Sequence, residues 1–387
     1  MLQEVPIREC PILGLDLASV GSAQGGSKAP YIKGHVTDGS TFTFQVNGSD
    51  VSVSVDASGN WKYKPTATIT SLAFVGVPEL DSLTLCKING LQTFNLDYPV
   101  VPTYKNCDAT TQNALEYVYH IRGTATDNFQ FTLKYVDDNN TVTTVTESAV
   151  IDGNGKWDVA YSGKKISGLY ESFRGKVVKS VIITENCNKV TTMYGTFRGD
   201  TIEEIDLSNA TFDICTDFNG TFQLTPKLKR INLLKAKFDT QANQRYTFYN
   251  IGEIEEINLP IAKFDKCTDV TGLFAYCSKL KKVNIPNVTF ESVTTTANSM
   301  NAFQNSKLIS ELIVPNTSLM SVSINFKDNV LDYDSMLRVA GWLKDLTGGT
   351  AQTVTFKADT YNALTAEQKA ALTANIVTQK GWNLATA

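Results

Sequence analysis

The sequence predicts a mainly β fold, with two β-sandwich modules followed by a repeat solenoid that ends in a helical C-terminal cap. Three observations carry this expectation. A block of alternating apolar and polar residues occurs twice near the N-terminus. A motif with a period near 26 residues then runs through the middle of the chain. The 387 residues are 42% hydrophobic and 19% charged, a globular composition, and Thr, Ser, Asn and Val are abundant, which favours strands and polar turns.

Residues 1–20 read as an N-terminal anchoring segment, and residues 21–30, "GSAQGGSKAP", as a flexible linker. The duplicated block follows. Its first copy contains "GHVTDGSTFTFQV" and "VSVSVDASGNWKYKP", and its second "GTATDNFQFTLKY" and "ESAVIDGNGKWDVAY". Gly34, Asp38 and Phe44 match Gly123, Asp127 and Leu133, while Asp56, Gly59 and Trp61 match Asp152, Gly155 and Trp157. The offset changes from 89 to 96, so seven residues are inserted around "DDNNTVT", as a hairpin tip tolerates. Phe42, Phe44 and Val46, then Val51, Val53 and Val55, alternate with polar residues as half-buried strands do. "DASGNW" and "DGNGKW" are tight turns, each followed by a core Trp. The copies resemble bacterial Ig-like modules with an Asp-x-x-Gly-x-Trp signature. The modules are placed at 31–117, with a connector, and at 118–164.

From 165 to 325 the chain repeats itself. Phe173, Phe197, Phe222, Phe248, Phe274 and Phe303 recur at spacings of 24, 25, 26, 26 and 29. The triplets "VII", "IDL", "INL", "INL", "VNI" and "LIV" keep step with them, and a second Phe stands at 212, 238, 264 and 290. A fixed period in this range predicts coils that bury their apolar faces on one another. "LFAYCSKLKKVNIPN" and "TFYNIGEIEEINLPI" resemble the BspA-like leucine-rich repeats of surface proteins of gut bacteria and their phages. The resemblance implies a fold of two Ig-like β-sandwich modules followed by a leucine-rich-repeat solenoid with a helical C-terminal cap. Residues 326–387 are that α/β cap: a helix over Asp332–Leu346, a last strand at "TVTFKA", and a helix with a capping-box spacing from Thr365 to Gln368.

The sequence offers no constellation for chemistry: no catalytic, cofactor-binding or metal-binding set. His35 and His120, the two histidines, read as partly exposed first-strand residues rather than a catalytic base. The pairs Glu203–Glu204 and Glu255–Glu256 invite comparison with glycosidase carboxylates. Lys229–Arg230 and Lys281–Lys282 fill the same repeat position, so solvated ion pairs between coils are expected instead. "DDNN" (137–140) and "DGNG" (152–155) could ligate a structural Ca²⁺, but lack the EF-hand pattern and read as turns. Asn47, Asn209, Asn219 and Asn287 begin Asn-x-Ser/Thr sites that a Thr- and Asn-rich chain produces by chance. Seven cysteines without a CxxC pair are expected to be reduced structural thiols.

A net charge of −4 and a pI near 5.4 argue against a nucleic-acid partner. No apolar run is long enough to span a membrane. "MLQEVPIREC" lacks the shape of a signal peptide. Binding or assembly, not catalysis, is therefore expected. The resemblance implies a surface protein of gut bacteria or of their phages, and the missing signal-peptide shape and the odd number of cysteines expected to be reduced turn the expectation to a phage virion surface component, a capsid decoration or tail-attached fibre that adheres to a host surface protein or glycan. It would join other virion proteins through residues 1–20 and form a homo-oligomer, a trimer being one form. A bacterial cell-surface adhesin and a carbohydrate-binding accessory module are the alternatives. No cofactor is expected.

Overall fold

The computed structural model describes residues 29–37, 41–76, 80–199, 201–317 and 319–387. The expected anchoring segment, most of the linker, Cys10 and Asp38 lie outside those residues.

The first copy supplies β1 (Tyr31–Val36), β2 (Thr41–Val46), β3 (Ser49–Ser54), β4 (Asn60–Tyr63), β5 (Ser71–Phe74) and β6 (Leu80–Cys86). β7 (Thr93–Asp97), β8 (Pro102–Lys105) and helix α1 (Ala109–Asn113) lead to the second copy. That copy consists of β9 (Leu115–Ala125), β10 (Phe129–Asp137), β11 (Val142–Ala149), β12 (Lys156–Tyr161), β13 (Lys164–Gly168) and β14 (Val178–Ile183). The pairing repeats with the sequence. β1 bonds β4 and β6 as β9 bonds β12 and β14; β2 bonds β3 and β5 as β10 bonds β11 and β13. Gly34 faces Trp61 and Gly123 faces Trp157. A Cβ on Gly34 would lie 2.1 Å from the Ser82 carbonyl oxygen, and one on Gly123 would lie 1.9 Å from that of Ser180. Both copies need glycine there because the neighbouring strand closes on it. Between Asp137 and Val142 the second copy's hairpin tip holds the inserted residues.

The copies are fused rather than strung together. β5, β7 and the start of β9 form a parallel ladder, Ser71 facing Thr93 and Phe94 facing Leu115. The rest of β9 bonds β12 and β14. Residues 117 and 118 therefore lie inside β9, the strand shared between the copies, while 164 and 165 open β13, which pairs with β10 of the same copy.

β15 (Glu204–Asp206), β16 (Arg230–Asn232), β17 (Glu256–Asn258), β18 (Lys282–Asn284) and β19 (Glu311–Ile313) are the triplets. They pair in parallel, one rung per coil: Val181 with Ile205 and Ile231, then Ile257 with Val283 and Leu312. The ladder is interrupted between β16 and β17, which fall in separate sheets. The coils stay joined on both sides of the gap, Gly252 N donating to Thr225 O (3.2 Å) and Lys263 N to Lys237 O (3.1 Å).

Inside the stack the first Phe column forms a line of stacked rings. Phe173, Phe197, Phe222, Phe248, Phe274 and Phe303 follow one another with centroids 5.3–5.6 Å apart. Each of Phe212, Phe238, Phe264 and Phe290 ends its coil's turn in the left-handed region, with φ of 52–57°. That backbone region is unfavourable for a bulky L-residue, and full burial of each ring offsets the strain. Thr192, Asp217, Asn243 and Asp269 share another coil position, and each accepts the N–H two residues on. This local bond explains why the position holds only Thr, Asp or Asn.

β20 (Ile324–Phe326), β21 (Thr353–Phe356) and β22 (Asn383–Thr386) form a further parallel ladder, with α2 (Tyr333–Trp342), α3 (Ala358–Asn362) and α4 (Ala366–Thr373) around it. The β21 segment is thus not the last strand, as the sequence suggested; β22 closes the sheet beside it. α2 stops at Trp342, short of Leu346, because Leu343 turns extended (φ −64°, ψ 135°). The capping box of Thr365 and Gln368 is present. The fold is mainly β with several sheets, and no helix among the described residues is long and apolar enough to cross a membrane.

Candidate functional site

The residues singled out by sequence do not converge on one site. His35, on β1, has both ring nitrogens engaged: Nδ1 by the Asp81 carboxylate at 2.8 Å, and Nε2 by the Ser58 carbonyl oxygen at 2.8 Å. His120 differs from the expectation of partial exposure, being buried at 3% exposure. Its Nδ1 lies 2.8 Å from Asp158 on β12 and its Nε2 lies 3.0 Å from Asp97 on β7. Burial alone would lower its pKa. The hydrogen bonds to Asp158 and Asp97, with their charges, outweigh burial and raise it to about 9. An imidazolium that donates from both nitrogens has no lone pair with which to act as a base. It acts as a clamp, joining the connector strand to the second copy. No sequence signal marked it, because its partners come from 23 residues before it and 38 after.

Beside it lies a second buried polar cluster that the sequence reading missed. Glu185 is fully buried; its Oε2 accepts from the Tyr161 hydroxyl at 2.6 Å and from Ile166 N at 2.9 Å. Its Oε1 has no hydrogen-bond partner among the described residues. Burial pushes the Glu185 carboxyl above its ordinary range, and these two bonds and the nearby Lys165 only partly oppose that.

The other acidic residues are consumed locally. Asp56, Asp137 and Asp152 each accept two backbone N–H groups of their own turns at 2.8–2.9 Å. Those bonds hold the Asp56 and Asp152 carboxyls below the usual range. Among the described residues no group of three or more His, Cys, Asp or Glu is gathered for a metal. The six described cysteines are free, and all but Cys107 are buried.

The glutamate pairs sit where the repeat register puts them. Glu203 pairs with Lys229 (2.6 Å), Glu204 with Arg230, Glu255 with Lys281 (2.9 Å), and Glu256 with Lys282 (3.6 Å). Each acid bonds a base on the next coil. Over the gap between β16 and β17 lies an open groove of 650 Å³, lined by Glu204, Lys229, Arg230, Glu253, Glu255 and Glu256 together with Leu234.

Elsewhere some coils carry tyrosines in contact with one another. Tyr170 is 57% exposed and stacks on Tyr194, with centroids 5.0 Å apart and planes within 11°. Further along, Tyr246, Tyr249 and Tyr276 contact one another in sequence at 5.2 Å. Arg245 covers Tyr246. Flat rings beside amide, carboxylate and guanidinium groups suit stacking against sugar rings and hydrogen bonding to hydroxyls.

Comparison of the chain with protein-family models, curated proteins and solved structures finds no match.

Proposed function

We propose that this chain is a non-enzymatic binding protein of a phage particle surface, a capsid- or tail-attached decoration or fibre. Two Ig-like modules would hold a leucine-rich-repeat solenoid outward, for adhesion to a host surface protein or glycan. The carrying observation is the division of labour within each coil. The inward positions repeat from coil to coil, as Phe, Ile or Leu and small polar residues, while the outward positions change. A repeating interior with a variable exterior is how a scaffold presents a surface. The titratable groups that are brought together, around His120 and Glu185, are buried between strands and tie units together. The tyrosine contacts support glycan as the ligand class. Free thiols suit a protein assembled in a reducing cytoplasm.

The test is particle-level. Deleting residues 1–20 should remove the protein from purified particles while its circular dichroism stays unchanged. Retention of the truncated protein on the particle, or localisation of the intact protein to the bacterial envelope without particles, would overturn the reading.

A further inference from the structure

The outward charges of the six rungs alternate in sign, and ion pairs between neighbouring coils use that alternation. In order along the stack the rungs carry Lys179, then Glu203 and Glu204, Lys229 and Arg230, Glu255 and Glu256, Lys281 and Lys282, and finally Glu311. The signs run plus, minus, plus, minus, plus, minus. Such a row is antisymmetric about its centre, and its centre is the gap between β16 and β17. Among the described residues no ion pair crosses that gap either. Lys229 and Arg230 bond back to Glu203 and Glu204, and Glu255 and Glu256 bond forward to Lys281 and Lys282. Across the gap Lys229 and Arg230 on β16's side face Glu253, Glu255 and Glu256 on β17's side, and the Arg230 side chain remains 74% exposed.

We propose that this rung face binds a second copy of the same chain, face to face, about a two-fold axis parallel to the strands and centred on the β16–β17 gap. That operation lays rung one on rung six, two on five and three on four. Every stacked pair then has opposite sign, and each contact occurs twice, as an isologous interface requires. The other face-to-face two-fold, along the stack, would place each rung on its own copy and oppose like charges throughout. The charge pattern therefore selects one geometry and rejects the other. Leu234, 47% exposed beside the central groove, adds an apolar contact near the axis.

The contact is small. Six rungs about 4.8 Å apart span roughly 24 Å, which with three-residue strands falls short of the ~800 Å² per partner of a standard stable interface. The dimer is accordingly weak and salt-sensitive, and it is to be sought at protein concentrations of about 100 μM and ~50 mM salt. The Tyr170–Tyr194 pair lies outside this rung face and stays available to a ligand.

The experiment is sedimentation velocity on the full chain and two charge-reversal variants, K229E/R230E and E255K/E256K. Each variant alone opposes like charges at both central contacts, so its self-association should fall at least tenfold. An equimolar mixture puts acidic rung three of one variant against basic rung four of the other, and the unchanged rungs still match. The mixture should associate as the wild type does, and 500 mM salt should dissociate both. Circular dichroism of each variant reports folding separately, and rescue by mixing could not arise from two misfolded chains. A wild type that is monomeric at low salt, an association indifferent to both reversals (as one held only by residues 1–20 would be), or variants that fail to rescue each other would each overturn the proposal.

Discussion

Replacing Phe248 by alanine tests the stack at its middle. Phe248 is fully buried and lies between Phe222 (5.3 Å, planes 17° apart) and Phe274 (5.5 Å, 13°). Its N–H also donates to Leu273 O on the next coil at 3.0 Å, a backbone bond the substitution keeps. The loss is therefore of packing. Truncating a buried Phe costs about 3–5 kcal/mol. The upper half of that range is expected, because two aromatic neighbours lose contact and each such pair contributes ~0.5–1.5 kcal/mol beyond its area. The rings above and below are held by their own coils and cannot collapse into the space. Urea unfolding followed by tryptophan fluorescence and far-UV circular dichroism reads the change as a shift of midpoint. A coil stack also predicts unequal effects: Tyr276→Ala, at a residue 40% exposed, should stay within about 1 kcal/mol. A loss below about 1 kcal/mol for Phe248→Ala would refute the reasoning, since it would mean the column is not a load shared between neighbouring coils.

Three further outcomes follow. The His120 clamp, with a folded-state pKa near 9 against an ordinary 6.5, stabilises fully below pH 6.5 and loses that stability as pH rises towards 9. The pH-dependent part is on the order of 3 kcal/mol, and urea midpoints at pH 6 and pH 9.5 should show it in the wild type and not in His120→Gln. For Glu185, whose carboxyl is raised, stability declines as pH climbs above the ordinary carboxylate range. Glu185→Gln should flatten that decline at little cost near pH 7, whereas Glu185→Ala should lose about 1–3 kcal/mol by orphaning the Tyr161 hydroxyl and Ile166 N–H; equal effects of the two would show that the carboxyl is ionised. Gly272→Ala should destabilise by more than 1 kcal/mol, because φ there is +64° and a Cβ would stand 2.6 Å from the Tyr246 ring. Gly153→Ala, with open space around it, should change the thermal midpoint little.

The parts of this molecule legible in its sequence are those that repeat. The triplets, the two Phe columns and the duplicated Asp-x-x-Gly-x-Trp turns each express one local environment several times, so period alone reveals which residues face inward. The register also disposed of the glutamate pairs as catalytic candidates, since Lys229 and Lys281 occupy the same rung position as Glu203 and Glu255. What escaped was non-repeating and long-range. β9 reads as the opening strand of the second copy, yet its first residues complete the ladder begun by Ser71 and Thr93. His120 and Glu185 look like ordinary polar residues until strands distant in sequence close over them. The left-handed backbone at Phe212 and its equivalents is invisible to propensity, because burial of the ring overrides what the local backbone prefers. The gap between β16 and β17 has no sequence mark either: "INL" stands on both sides of it.

The central claim is that function resides on the outer faces of a coil stack rather than in a catalytic pocket. The measurement that bears on it most directly is binding to host-cell surfaces and a glycan array by the intact protein and by Tyr170→Ala/Tyr194→Ala, with the unfolding midpoint of each recorded alongside. The stacked pair, with Tyr170 exposed and Tyr194 half-buried, contributes to no interior column. Binding should therefore fall at least tenfold while the midpoint moves by less than about 1 kcal/mol equivalent. Unchanged binding in the variant, or a loss of binding only in step with unfolding, would contradict the account.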